Sequence, residues 1–121
     1  MPDPGHNRSM DCPNPLQPVA VATTTVDSPE AAQRLAQAAV QARLAACVQV
    51  EAITSHYVWQ GQQEAGAEWR LVFKTLPQAV DALAQWLHAA HPYDVPQWLV
   101  RTEQAAPAYA EWVAQQVAVK K

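Results

Sequence analysis

Cys47-Val-Gln-Val-Glu-Ala-Ile-Thr-Ser-His-Tyr-Val-Trp59 decides how the rest of the chain is read. Its β-branched content and alternation make it a strand. At about 3.3 Å per residue it reaches roughly 43 Å. A compact domain of about 105 residues has a radius of gyration near 13 Å, hence a diameter of roughly 33 Å. Gln60-Gly61-Gln-Gln-Glu-Ala-Gly66 reads as a hairpin loop, and Glu68-Trp-Arg-Leu-Val-Phe-Lys74 as the returning strand. That strand puts Trp69, Leu71 and Phe73 on one face and Glu68, Arg70, Val72 and Lys74 on the other. A hairpin this long must bend sharply or project. Its tip carries Tyr57, Val58 and Trp59, and aromatics on an open strand edge need a cover. A second copy of the chain is the simplest cover, and a head-to-tail interface that closes gives a ring. His56, beside the tip, reads as an interface or solvent residue.

Outward from the hairpin, Val19-Ala-Val-Ala-Thr-Thr-Thr25 is a first strand. Ser28-Pro29-Glu30 then supplies a cap, a first-turn proline and an acidic side chain for a helix running to about Leu44. Ala32, Leu35, Ala36, Ala39 and Val40 form its apolar face. After Lys74, Thr75-Leu-Pro-Gln78 has the form of a capping box. Val80, Leu83, Ala84 and Leu87 mark a second helix ending near His91-Pro92. Trp98-Leu-Val-Arg-Thr102 is a fourth strand. Pro107 opens a last helix with Tyr109, Trp112, Val113 and Val117 inward. The order predicts an α+β domain, a ferredoxin-like βαββαβ sandwich with an antiparallel sheet, a long hairpin and an extra C-terminal helix.

The chain has 121 residues, half of them hydrophobic, which suits one domain with a real core. Residues 1–17, holding four of the ten prolines, read as a disordered leader, and 18–121 as the domain. His6 and Cys12 fall in that leader, where a metal lacks fixed geometry. With 16% charged residues and a net charge of -3, a nucleic-acid partner or a polybasic membrane contact is not expected. No apolar run approaches a membrane span and no secretory h-region is present, so the cytoplasm is expected. The two cysteines show no framework spacing, consistent with a reducing compartment.

Arg43-Leu-Ala-Ala-Cys-Val48, Ser55-x-Tyr57-x-Trp59, Glu68 ahead of Lys74-Thr75, His91-Pro-Tyr-x-Val-Pro96 and Tyr109-x-x-Trp112 occur in that order. In this series the chain resembles the CutA family of divalent-cation tolerance proteins, over about residues 19–115. The resemblance implies a ferredoxin-like subunit, a homotrimer with strands crossing between subunits, a polar cavity near the subunit boundaries, and a link to copper and other divalent transition metals. Two positions depart from the family's pattern: Gln49 stands where Asn is usual, and Gln97-Trp98 where Glu and an aliphatic residue are usual. The lost carboxylate lowers the local anionic character.

Cys47 and His91 are the natural soft-metal candidates, because thiolate and imidazole suit copper and zinc. Two ligands do not close a site. Cys47, between Ala46 and Val48, also reads as an inert buried thiol. His91 either closes the second helix or faces the cavity with Glu68, Lys74 and Tyr93. Tyr57, Glu68, Lys74 and Tyr93 are the candidates for a small-molecule ligand. Glu68 and Lys74 share a strand face but stand about 20 Å apart along it. No phosphate loop, zinc motif or nucleophile elbow is present, so an enzyme is not expected. The leading expectation is a trimeric metal-tolerance protein. The alternative is a sensor like the trimeric PII signalling proteins, with a ligand cleft between subunits, an analogy of fold alone.

Overall fold

The computed structural model describes residues 15–119. Its elements are β1 (Gln17–Val26), α1 (Pro29–Gln41), β2 (Cys47–Trp59), β3 (Gln62–Thr75), a 3-10 turn (Pro77–Ala79), α2 (Val80–Ala90), β4 (Leu99–Ala105) and α3 (Pro107–Gln116). The four strands form one sheet in the order β2-β3-β1-β4, with antiparallel pairing throughout. This is the expected α+β, ferredoxin-like arrangement. The expected leader lies almost wholly outside the described residues, as do His6 and Cys12. Its final residue, Gln17, already pairs with Ala105.

One face of the sheet carries the main core. Ala22 and Val26 of β1 and Leu71 and Phe73 of β3 pack with Ala32, Leu35 and Ala39 of α1 and Leu83 and Leu87 of α2. The other face is covered by α3 only at one end, where Val19 meets Ala110, Val113 and Val117. Elsewhere that face bears the exposed ion pairs Arg70–Glu51 and Arg101–Glu103.

Local chemistry sets the boundaries. Ser28 Oγ accepts from the Ala31 N–H at 3.1 Å and Pro29 begins α1. The helix stops at Gln41, short of the expected Leu44, because Arg43 adopts φ 59°. Arg43 N–H bonds Val40 O and Leu44 N–H bonds Ala39 O, the paired closure of a Schellman motif. Arg43 then donates from Nε to Gln116 O at 3.0 Å and from Nη2 to Gln115 O at 2.8 Å, capping the end of α3. Val40, expected on the buried face, is 44% exposed, while Ala31 is buried in its place.

The expected capping box at Thr75 does not form. Thr75 ends β3, is fully buried, and donates to Leu44 O at 2.8 Å, leaving Leu76 to precede the 3-10 turn. Tertiary burial of the hydroxyl outcompetes the local cap. The fourth strand begins at Leu99 and runs on to Ala105, further than expected, because it pairs with β1 as far as Gln17. Trp98 precedes it and packs on Phe73 with ring centroids 6.1 Å apart.

The hairpin differs most from expectation. Its connection is the two residues Gln60 and Gly61, with φ 51° and 77°. Positive φ at both positions is the type I′ geometry that suits the strand twist. The stretch expected as loop, Gln62 to Gly66, is paired strand, with Trp59 opposite Gln62 and Ser55 opposite Gly66. β1 flanks β3 only as far as Trp69, so Ile53–Trp59 and their partners form a two-stranded ribbon. That ribbon extends about 23 Å beyond the third strand. Tyr57, Val58 and Trp59 on it are 48%, 70% and 63% exposed.

Candidate functional site

The candidate residues fall into two groups, one at the middle of β3 and one at its C-terminal end. The first gathers where β1 ends and α2 turns into the 92–98 segment. Pro92 ends the helix, and His91 takes its C-terminal position with an N–H bond to Leu87 O. The His91 ring is buried, and both of its nitrogens are engaged. Nδ1 lies 3.0 Å from the Tyr93 N–H, which donates to it. Nδ1 is therefore the acceptor, and Nε2 carries the proton it shares with Thr25 O at 2.9 Å. Burial lowers the His91 pKa below its usual 6.5, partly offset by the Thr25 carbonyl. The ring is thus a neutral clasp between β1 and the turn, rather than an imidazolium at a helix end.

Tyr93 packs edge-on against His91 with centroids 4.8 Å apart. Its hydroxyl donates to Glu68 Oε2 at 3.2 Å. Burial pushes the Tyr93 phenol well up, and the charges of Asp27 and Glu68 add to it. Tyr57 also acts electrostatically on Tyr93. The structure therefore brings together His91, Tyr93 and Glu68; Asp27, which the sequence did not single out, acts on Tyr93 through its charge, and Tyr57 stands out on the ribbon opposite Glu64.

Lys74 does not join them. It sits six residues along β3 from Glu68, paired with Cys47 of β2 and Val21 of β1. It faces the side of the sheet carrying α3, in a cleft of about 250 Å³ lined by Val19, Val21, Arg101, Glu103, Gln104 and Tyr109 among others. Cys47 is half-buried beside this cleft and is the one free thiol among the described residues. The Tyr109 phenol is raised by burial, with Cys47 contributing. Arg101 and Glu103 had no motif to mark them, and Tyr109 was marked only as part of Tyr109-x-x-Trp112 and as an inward residue of the last helix. They meet only because β4 and α3 pack along the edge of β1.

Cys47 and His91 belong to different groups. From Cys47 to the Thr25 carbonyl that holds His91 is two strands across and four residues along, about 16 Å. One metal with bonds near 2.0–2.3 Å spans about 4 Å between ligands. The protomer does not bring these two side chains to a common centre. Among the described residues, no group of three or more His, Cys, Asp or Glu side chains is placed to hold a metal ion. No helix among them is long and apolar enough to cross a membrane.

Comparison with known proteins gives a consistent result. The family model for CutA1 divalent ion tolerance protein matches residues 20–116. Mouse protein CutA is 37% identical over 99 residues, which cover 80% of this chain and 56% of that protein. The chain thus spans little more than half the length of that relative. The divalent-cation tolerance protein CutA of Thermus thermophilus is 44% identical over 78 residues, covering 64% of this chain and 76% of that one. The solved structure of CutA from Synechococcus elongatus superposes with a TM-score of 0.81 at 42% identity, covering 84% of this chain and 91% of that chain. On the strength of the motif order, the sheet topology and these matches together, the chain belongs to the CutA1 divalent ion tolerance protein family.

Proposed function

We propose that this protein acts in divalent-cation tolerance as a homotrimer, a cytoplasmic binding protein rather than a catalyst, with copper or a similar transition metal as the ion it meets. The observation that carries the assembly is the ribbon Ile53–Trp59 with its paired strand. It leaves the sheet for about 23 Å and exposes Tyr57, Val58 and Trp59. An isolated two-stranded ribbon is marginal in water. Laid against another protomer, it gains apolar burial and a third strand. β4 offers a complementary exposed edge, with Leu99 60% and Val100 44% exposed. Three copies is the number that the family resemblance implies.

Within one protomer, the residues do not fit a closed metal centre. Both His91 nitrogens are taken by backbone groups. Cys47 belongs to no group of three or more His, Cys, Asp or Glu side chains placed to hold a metal ion among the described residues. No step is therefore derived through a bound ion. The metal contact in this reading is the Cys47 thiol, with its further ligands drawn from a neighbouring chain.

Sedimentation equilibrium tests the assembly. The expected species is about 40 kDa, three times the chain mass of 13.3 kDa. A 13.3 kDa species in dilute solution refutes it. Calorimetric titration with Cu(I) and Cu(II) tests the metal contact. Binding is expected to fall in Cys47→Ala and to persist in His91→Ala. Unchanged binding in Cys47→Ala, or none in the wild type, removes the metal part of the reading.

A further inference from the structure

At the junction of β1, α2 and the turn after it, one proton acts on several contacts at once. The His91 ring is 8% exposed, and its two nitrogens differ in what they tolerate. Nε2 donates to Thr25 O at 2.9 Å, a bond that both neutral and protonated imidazole make. Nδ1 accepts from the Tyr93 N–H at 3.0 Å, a bond that only the neutral ring can make. A proton on Nδ1 sets two donors against each other. The Thr25 carbonyl holds the ring in either state, so the displacement falls on the turn. Tyr93 is the partner that moves. Its ring packs edge-on against the imidazole with centroids 4.8 Å apart, and its hydroxyl donates to Glu68 Oε2 at 3.2 Å. Glu68 stands opposite Ile53, the first pair of the ribbon. The new Nδ1–H needs an acceptor, and Asp27 and Glu68 are the carboxylates whose charges reach the ring.

We propose that this junction is a proton-driven switch. With His91 neutral, Tyr93 is fastened to the ring through its N–H and to Glu68 through its hydroxyl. With His91 protonated, the imidazolium turns to a carboxylate and the turn around Tyr93 comes free. The groups facing the ring from each element set the balance. Burial and the positive charge of His88 on α2 oppose the proton. The Thr25 carbonyl on β1, Asp27 just after it and Glu68 on β3 favour it. Burial is the largest of these influences, so the fastened state holds at neutral pH and release falls below 6.5. The Tyr93 phenol stays protonated throughout, since burial pushes it well up. The root of the ribbon feels the change, because that is where Glu68 loses the phenol. Every contact in the switch lies within one chain. It goes beyond the tolerance role and depends neither on the trimer nor on a bound metal.

The test is amide hydrogen exchange of the full chain, read by NMR from about pH 7.5 down to about pH 4.5 at one protomer concentration. Phe73, in the core of β3, is the reference. Protection of the Tyr93 N–H is expected to hold above pH 6.5 and then to fall, approaching about tenfold per pH unit, as uptake of one proton requires. Phe73 is expected to keep its protection over that range. Ring nitrogen shifts, which report the proton on Nδ1, are expected to change over the same interval. Glu68→Gln removes a charge that favours the imidazolium, and is expected to move the fall to lower pH. His91→Asn keeps a side-chain acceptor for the N–H two residues on but does not titrate, and is expected to hold Tyr93 at every pH. Tyr93 protection that ignores pH, falls together with that of Phe73, or falls equally in His91→Asn overturns the proposal. If His91→Asn does not fold, Glu68→Gln decides the matter: a fall that stays in place or moves to higher pH overturns it. Sedimentation at each pH follows the assembly separately, so a lost trimer is not mistaken for a released turn.

Discussion

Replacing His91 with phenylalanine isolates the buried clasp and gives it a pH signature. The ring links the Thr25 carbonyl at the end of β1 to the Tyr93 N–H in the turn after α2. Phenylalanine supplies a slightly larger ring and removes both bonds, stranding one acceptor and one donor. A buried polar group left unpaired costs about 1–3 kcal/mol, and the Tyr93 N–H is only partly buried. The expected loss is therefore about 2–4 kcal/mol at pH 8. The pH dependence follows from the lowered pKa. The unfolded ring titrates near 6.5, and the folded ring titrates below that. The unfolded state then binds more protons as the medium acidifies. The clasp's stabilisation is full above pH 6.5 and is lost as pH falls through the folded value. In that window, the loss approaches about 1.4 kcal/mol per pH unit. The assay is urea denaturation of wild type and His91→Phe from pH 8 down to pH 5, at one fixed protomer concentration because assembly shifts apparent stability. The gap between the two proteins is expected to be widest above pH 7 and to narrow steadily below 6.5. A gap under about 0.5 kcal/mol at pH 8, or one that does not change with pH, refutes the assignment of a neutral, doubly bonded His91.

Further outcomes follow from other contacts. Arg43→Ala removes two bonds to the Gln115 and Gln116 carbonyls, and is expected to cost about 1 kcal/mol and to speed amide exchange in α3; unchanged exchange there counts against the cap. Gln60→Asn places a residue tolerant of φ 51° before Gly61 and is expected to raise the melting temperature, by about 0.4–1 kcal/mol of stability. Gly61→Ala at φ +77° is expected to lower it through the clash of the added carbon with its own backbone, since no other residue lies within 4 Å of that carbon. Combined Tyr57→Ser and Trp59→Ser leaves the protomer core intact and is expected to shift sedimentation towards 13.3 kDa; an unaltered assembly shows that the ribbon tip is not the interface.

The sequence carried the fold because its signals were periodic and local. The Ser28-Pro29-Glu30 start of α1, the Pro92 stop of α2 and the alternation through β3 each act within a few residues. Where it erred, the deciding contact was distant. Thr75 is a plausible cap until Leu44 O claims its hydroxyl. Arg43 looks like ordinary helix until its left-handed turn lets it reach α3. The returning strand looked short because Gln62–Gly66 is polar, although a ribbon standing in solvent needs no apolar alternation.

The candidate site was legible in its members but not in its grouping. Tyr57, Glu68 and Tyr93 were marked in advance, and the structure sets Glu68 and Tyr93 with His91 while Tyr57 stands out on the ribbon. It sets Lys74 apart, beside Cys47, Arg101 and Tyr109. Residue types and spacing fix what each side chain is able to do. Which ones meet depends on sheet order and register, since one step along a strand reverses the face and one strand across moves about 4.8 Å. The chain alone therefore determined the elements, their order and the over-long hairpin. Only the tertiary structure decided that His91 is a neutral clasp with no free nitrogen, and that Lys74 stands in a separate cleft beside Arg101 and Glu103. Those facts belong to contacts between β1, β3, β4 and the turn after α2, which lie far apart along the chain.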